Sequence, residues 1–243
     1  MHGCGRALGS LTAERTSELT DSPHLTFVEE ILLLLLDDDT GVMKRVAPNV
    51  MELLIAGAIL MDLALRGRLD CDLQRLVVVD STPVGEEILD GPLAEIAGAA
   101  DEADARTWVV RLSARSKQVQ EAALARLVER GILRVEDRNF LWVFGSRRYP
   151  MVDDREEREV KLRILDVLLS DRIPAPRDVA LICLADASNA FQVILSAQEL
   201  RHAAARIELV RGFDLIGQAM GRAIQKSVQD IAAATATAHH PFY

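Results

Sequence analysis

The chain has 243 residues, of which 49% are hydrophobic and 4% aromatic, and its formal net charge at pH 7 is −9. This length and apolar content support one large core or two small ones and exclude an intrinsically disordered chain. The negative charge argues against a broad nucleic-acid surface, while a local basic patch stays compatible with it. Cys4, Cys71 and Cys183 are odd in number and far apart, so neither a disulfide framework nor a Cys-x-x-Cys metal site is predicted.

The N-terminal part of the chain leads into its most apolar run. We expect residues 1–22 to be a loose tail, without the apolar segment of a signal or transit peptide. Thr26 and Glu29 have the spacing of a capping box, which predicts a helix start at Thr26. Residues 31–36 are all aliphatic, so this helix has no polar stripe and should lie at the centre of the core. Its apolar block is far shorter than the roughly 20 residues of a membrane span.

A second helix is predicted over Asn49–Arg66. Pro48 suits its first position, and Gly67 suits the stop after its last turn. Its charged residues, Glu52 and Asp62, indicate an amphipathic helix and argue against a membrane span.

The middle of the chain is predicted to contain a short strand and two further helices. The strand covers 76–79 and is followed by a turn over 80–85 and an amphipathic helix over 88–96. The next predicted helix covers 116–130, and Ser116 is its expected N-cap.

An apolar β-hairpin is predicted over about 132–145. Its second arm, 140–144, is apolar on both faces, whereas a half-buried strand alternates apolar and polar residues. Exposed aromatic rings are unfavourable in water unless they contact a partner or a membrane interface. Arg147 and Arg148 follow, and basic residues beside an apolar wedge suit an anionic lipid surface. Burial in the domain's own core, or contact with a second subunit, is the alternative. The residues expected to insert into a membrane are Asn139, Phe140, Leu141, Trp142, Val143 and Phe144.

The C-terminal half is predicted to be helical scaffold. The expected helices cover 154–169, 178–197, 198–210 and 213–234, with a proline-rich linker over 173–176 and a mobile tail over 236–243.

Several short motifs occur in a specific order: Leu65-Arg66-Gly67-Arg68, Ser81-Thr82-Pro83-Val84-Gly85, Leu127 to Leu133 and Ala180 to Ser188. In this order the chain resembles the Golgi phosphoprotein 3 family over roughly residues 25–234. The resemblance implies a mainly α fold: a single helical-bundle domain, here 23–235, with a protruding apolar β-hairpin. It also implies binding of phosphatidylinositol 4-phosphate on a cytoplasmic membrane face and an adaptor role for the cytoplasmic tails of membrane enzymes. No catalytic residue, metal or cofactor is expected.

By this resemblance, the family's headgroup positions fall on Ala47, Ala56, Lys117 and Gln120, so one of three positive charges is kept. Lys117 attracts phosphate as a point charge but lacks the bidentate fork of arginine. Cations close in sequence are therefore expected to assist, and an anionic lipid is the predicted ligand class. The predicted headgroup set is Lys117, Gln120, Arg115, Arg111, Lys44 and Arg45.

Two other functional classes stay open at this point. The helix and hairpin over 116–144 also resemble a winged helix, although Glu121 and Glu129 disfavour contact with DNA. The acids at 37–39 suggest a Mg²⁺-dependent enzyme acting on a diphosphate, but they are adjacent rather than spaced along one helical face. We therefore expect no nucleic-acid partner.

Composition also bears on origin and assembly. Lysine occurs only at positions 44, 117, 161 and 226, and with the high alanine and valine content this suggests a bacterial, actinobacterial-type source. The expected location is the cytoplasmic face of a membrane: the plasma membrane in a bacterium, or the Golgi in a eukaryote. Homo-oligomerisation through the hairpin is a further expectation.

Overall fold

The computed structural model describes residues 25–37, 40–71, 75–100, 103–136, 148–152 and 155–212, together with 222, 224–227, 229 and 230. Helices dominate these residues, which confirms the predicted mainly α fold. The elements are α1 (Phe27–Leu35), α2 (Pro48–Leu65), β1 (Leu69–Cys71), β2 (Leu76–Val78), α3 (Glu87–Ala97), α4 (Ala105–Ser113), α5 (Ser116–Glu129), α6 (Arg155–Leu169), α7 (Pro176–Ala187), α8 (Phe191–Ile194) and α9 (Ala197–Arg211).

The central helix, α1, is buried along its whole length and contacts α2, α5, α6 and α7. Its predicted capping box is confirmed in both halves. The Glu29 carboxylate accepts from the Thr26 backbone N–H at 2.7 Å, and the Glu29 N–H donates to Thr26 Oγ1 at 3.3 Å. The helix ends at Leu35, because Leu36 adopts an extended conformation.

The second helix, α2, is a core helix, and the prediction of an amphipathic helix is wrong. Glu52 is exposed as expected, but only 1% of Asp62 is exposed. The Asp62 carboxylate accepts the Phe27 backbone N–H at 2.9 Å and Arg66 Nε at 2.8 Å. Asp62 therefore supplies a hydrogen-bond acceptor for a backbone N–H in the first turn of α1 instead of facing water. Gly67, at φ +69°, ends the helix as predicted.

The strands β1 and β2 form an antiparallel pair in which Leu69 lies opposite Val78. The predicted strand over 76–79 is thus confirmed, with its end at Val78. The turn that follows is fixed by Asp90, whose two carboxylate oxygens accept the N–H groups of Val84 and Gly85 at 2.7 and 3.1 Å.

Helix α4 was missed in the sequence. Asp104 Oδ1 accepts the Thr107 N–H at 2.8 Å, and Trp108 and Leu112 are buried one turn apart. An acidic N-cap before apolar residues four apart was an available signal. The hydrogen bonds from Thr107 also hold the pKa of Asp104 below its usual value, against the opposing effect of burial.

Helix α5 begins and ends close to the predicted residues, but its capping prediction is wrong. Ser116 is the first helical residue and does not cap the helix; its Oγ donates instead to the Glu52 carbonyl of α2 at 2.7 Å. The predicted helix end at Gly131 is confirmed. Gly131 has a φ of +73°, and the Ile132 N–H donates a hydrogen bond to the Leu127 carbonyl at 3.0 Å.

The helix predicted over 178–197 is two helices, α7 and α8. Asn189 has φ +57°, and the Ala190 N–H bonds back to the Ala185 carbonyl at 2.8 Å, which ends α7. Of the helix predicted over 213–234, the described residues 222, 224–227, 229 and 230 are helical. They pack closely on α2, since a Cβ on Gly57 would lie within 3.3 Å of Ile224 Cγ1.

Candidate functional site

The two arms that lead to the predicted hairpin are paired at their roots. Leu133 lies opposite Met151 and Glu136 opposite Arg148 in antiparallel bridges. The Val152 N–H also donates to the Ile132 carbonyl at 2.9 Å. We call residues 133–136 and 148–152 the hairpin base; this pairing reaches beyond the predicted hairpin end at about 145.

Gly41 joins the loop before α2 to the hairpin base. Its carbonyl accepts the Tyr149 N–H at 2.8 Å. Its φ is +60°, and a Cβ at this position would lie 2.6 Å from Pro150 Cα, closer than side chains approach backbone atoms. A glycine is therefore required here both for the backbone conformation and for the close approach.

The segments joined through Gly41 include exposed apolar and basic side chains. Val42, Val135 and Val152 are exposed, the last by 61%. Arg45 is exposed and Lys44 partly so, and neither forms an ion pair with another residue of the described part of the chain. We call these five residues the basal patch.

The other cations predicted for a headgroup lie around the turn between α4 and α5. Arg111 stacks over the Trp108 ring at 4.9 Å from its centroid, and Arg115 pairs with Glu95 of α3 at 3.0 Å. Lys117 is exposed in the first turn of α5, and Gln120 is half-buried one turn later.

The structure places the predicted headgroup set on two segments. Arg111, Arg115, Lys117 and Gln120 lie on and around the turn between α4 and α5, whereas Lys44 and Arg45 lie on the loop between α1 and α2. This loop runs from Gly41, which contacts the hairpin base, to α2, whose Glu52 carbonyl accepts the Ser116 hydroxyl.

The two alanines at headgroup positions of the family have different surroundings. Ala47 is exposed at the N-cap of α2, while Ala56 has no exposed surface. The side chain at position 56 therefore packs in the core, and the headgroup pattern is incomplete here.

The six residues predicted to insert, Asn139, Phe140, Leu141, Trp142, Val143 and Phe144, lie outside the described residues. The valines of the basal patch were not predicted. Val42 and Val152 are far apart in sequence, and the contact of Gly41 with Tyr149 and Pro150 brings their segments together.

Three further observations concern an enzyme site and a membrane span. Asp37, the described member of the acidic run, accepts the Thr40 hydroxyl at 2.7 Å and the Thr40 N–H at 3.0 Å in a tight turn. No three His, Cys, Asp or Glu side chains within the described ranges are grouped as metal ligands require. Among the described helices, none has both the length and the apolarity to cross a bilayer.

The fold and this surface define a mainly helical protein in which a loop with basic side chains contacts the base of a hairpin. The family model for Golgi phosphoprotein 3 matches residues 27–231. The chain therefore belongs to the Golgi phosphoprotein 3 family.

Two relatives are named vacuolar protein sorting-associated protein 74. The protein from Eremothecium gossypii is 30% identical over 217 residues, or 75% of this chain and 65% of its own length. The protein from Schizosaccharomyces pombe is 31% identical over 213 residues, or 74% of this chain and 63% of its own. The chain thus spans just under two thirds of these relatives. Both are fungal, and they lend no support to the bacterial source suggested by composition.

Proposed function

We propose that this protein is a peripheral membrane-binding adaptor that contacts an anionic lipid surface with the basal patch and the tip of its hairpin. One observation carries the proposal: exposed valines and basic side chains coincide on segments that Gly41 holds together. A surface of this composition suits the boundary between acyl chains and acidic headgroups.

The magnitudes indicate that the basal patch acts together with the hairpin tip. A half-exposed valine gains about 1 kcal/mol on burial, since full burial is worth roughly 1.5–3 kcal/mol. Each basic residue near an anionic leaflet contributes about 1 kcal/mol. Three valines and two cations then supply about 5 kcal/mol, which corresponds to a dissociation constant of the order of 0.2 mM. This is weak binding, so we assign the rest of the affinity to residues 139–144.

Family membership supports a headgroup site for phosphatidylinositol 4-phosphate, which we assign to Arg111, Arg115, Lys117 and Gln120. With alanine at positions 47 and 56, selectivity for this lipid should be modest. General attraction to anionic lipid is the stronger expectation, because a point charge on lysine discriminates less than an arginine fork.

The proposed location is the cytoplasmic face of an intracellular membrane, with the Golgi favoured by the family name. The names of the two fungal relatives refer to vacuolar protein sorting, which supports a role in directing membrane proteins. We propose cytoplasmic tails of membrane enzymes as clients and binding, not catalysis, as the activity.

Vesicle flotation tests the proposal. The full chain is mixed with neutral vesicles, with phosphatidylserine vesicles, and with phosphatidylinositol 4-phosphate vesicles of matched charge. We expect flotation with both anionic compositions and little with neutral lipid. The tip variant Phe140→Ser/Trp142→Ser and the patch variant Val135→Ser/Val152→Ser should each reduce flotation at least tenfold, since each removes about 2 kcal/mol or more of apolar burial.

The matched control is Val77→Ser/Val79→Ser, which changes two exposed valines on and just after β2. It should float like the unchanged protein. Equal flotation of all four proteins, or equal binding to neutral and anionic vesicles, would refute the proposed membrane contact.

A further inference from the structure

Helix α6 has exposed aliphatic side chains along the face that points away from the core. Leu162 and Leu169 are each 57% exposed, and Ile173, four residues beyond the helix, is 93% exposed. Leu162 and Leu169 are seven residues apart, about two helical turns, so they lie in line on one face. Three of the five exposed leucine and isoleucine side chains in the described part of the chain thus lie on this short stretch. We call the exposed residues of 155–173 the α6 face.

The basic side chains of the α6 face already have partners within the chain. Arg172 binds Asp166 at 2.5 Å, and Arg155 and Arg158 also have interactions of their own. An anionic membrane or an acidic peptide therefore gains little attraction here. Glu159, in contrast, is exposed and has no ion-pair partner among the described residues. The α6 face is thus an apolar surface on which an acid, and not a base, still lacks a partner.

A second copy of α6 fits this face when the two helices run antiparallel. With a twofold axis midway between positions 165 and 166, Leu162 of one copy lies opposite Leu169 of the other, because the two positions are equally far from the axis. The same axis places Ile173 opposite Arg158, whose aliphatic stem can cover it. Since a twofold contact is isologous, each of these pairs forms twice.

The unpaired acid falls in the same register. Glu159 and Arg172 are also equally far from this axis, so the carboxylate of one copy lies opposite the arginine of the other. Arg172 is 75% exposed although its Nη1 binds Asp166. A guanidinium has five N–H donors and can bind a second carboxylate. A second copy therefore supplies both the apolar partner and the charge partner about one axis, which favours it over an unrelated protein.

The exposed area indicates a weak contact. A leucine or isoleucine that becomes fully buried removes about 60–120 Å² of apolar surface. The three aliphatic side chains, which are 57–93% exposed, then supply about 120–250 Å² per copy. A standard interface buries about 800 Å² per partner, so even with the arginine stems this contact is too small for an obligate dimer. We expect a dissociation constant of the order of tens of micromolar.

We propose that two copies of this protein form a reversible antiparallel dimer through the α6 face. Leu162 packs on Leu169 of the second copy, and Glu159 pairs with Arg172 of the second copy. This contact is separate from the basal patch and from the hairpin, and it does not require lipid.

Sedimentation velocity without lipid measures the dimer, over protein concentrations that bracket the expected constant. Leu162→Glu/Leu169→Glu should weaken association at least tenfold, because the contact would then bury charged side chains without partners. The matched control Val77→Glu/Val79→Glu, on and just after β2, changes the net charge equally and should leave association intact. Thermal unfolding of each variant shows whether the fold is kept. A protein that is monomeric at every concentration, or a dimer that survives the change on α6, would overturn the proposal.

Charge exchange tests whether the occupant is a second copy. Glu159→Arg and Arg172→Glu should each weaken association about three- to tenfold, because two attractions become repulsions. The double variant Glu159→Arg/Arg172→Glu should associate like the unchanged protein. A mixture of the two single variants should form heterodimers in preference to either homodimer, which native mass spectrometry resolves by mass. Single variants that associate normally, or a double variant that is weaker than both, would contradict the antiparallel register.

The tip variant Phe140→Ser/Trp142→Ser separates this contact from association through the hairpin. It should dimerise like the unchanged protein. Loss of the dimer in this variant, with the dimer kept in Leu162→Glu/Leu169→Glu, would place the contact on the hairpin and refute the α6 dimer. Because no lipid is present in these measurements, their failure is distinct from failure of the membrane proposal.

Discussion

Around the turn between α4 and α5, two of the three basic side chains are held by neighbours: Arg111 stacks on Trp108, and Arg115 pairs with Glu95. On the loop between α1 and α2, Lys44 and Arg45 have no ion-pair partner among the described residues, and Val42 of the same loop is exposed. Cations of the same charge should therefore gain different free energies from lipid in the two regions. A cation already paired gains little from a lipid phosphate, whereas a solvated cation beside an apolar surface gains both attraction and burial.

The largest effect should come from breaking the contact that holds the basal patch together. Gly41→Ala adds a Cβ that overlaps the Pro150 backbone and strains a positive φ, so we expect about 2–4 kcal/mol of destabilisation. Gly67→Ala, at φ +69° with open space around its Cβ, should cost only about 1 kcal/mol. Urea unfolding measures both. Equal losses would mean that the loop does not depend on close approach to the hairpin base.

Charge reversal compares the loop between α1 and α2 with the turn between α4 and α5. Lys44→Glu/Arg45→Glu should weaken binding to phosphatidylserine vesicles about 100-fold or more, because two attractions of about 1 kcal/mol each become repulsions. Arg115→Glu/Lys117→Glu changes the net charge equally and should weaken binding about tenfold or less. Vesicle titration gives both affinities. The reverse order would move the principal lipid contact to the α4–α5 turn.

Single valines should give a smaller difference. Val152→Ser should lower vesicle affinity about fivefold, the equivalent of roughly 1 kcal/mol of lost burial. Val110→Ser on α4 is a matched control, since Val110 is 51% exposed and lies outside the basal patch, close to the turn between α4 and α5. An equal loss for both valines would show that exposure alone, regardless of position, decides lipid contact.

The smallest effect concerns the N-cap of α4 and its contribution to the free energy of unfolding. Asp104→Ala should destabilise the protein by about 1 kcal/mol at pH 7, whereas Asp104→Asn keeps a capping oxygen without the charge and should cost only part of this. The pKa of Asp104 is lowered in the folded state, so its contribution is full above the ordinary pKa of aspartate and is lost as pH falls through the folded value. Unfolding at pH 7 and near pH 3 should show the alanine penalty shrinking in acid. An unchanged penalty would exclude ionic capping.

The parts of the fold that local chemistry specifies could be predicted from the sequence. Four helix boundaries depend on residues within one turn of the boundary, and all four lie where they were predicted. The residues are Thr26 with Glu29, Pro48, Gly67 and Gly131. Features that depend on residues distant in sequence could not be predicted. Asp62 is buried and accepts the Phe27 N–H, 35 residues away, and no local sequence pattern predicts that hydrogen bond.

The candidate site shows the same limit. The basic residues of the headgroup set were all identifiable by type, but the pairing of Arg115 with Glu95 of another helix was not. The basal patch depends on Gly41 meeting Tyr149 and Pro150, a contact across more than a hundred residues. Ala56 is another example, since its burial shows that this family position contributes a core contact in this chain.

The central claim is that the basal patch faces the lipid. Hydrogen exchange of the full chain, measured by mass spectrometry with and without phosphatidylserine vesicles, tests it most directly. The account predicts slower exchange in peptides covering 41–46 and the hairpin base, and unchanged exchange in the peptide covering 110–120. Slowing confined to 110–120, or none in any of these peptides under conditions where the protein floats with the vesicles, would contradict it.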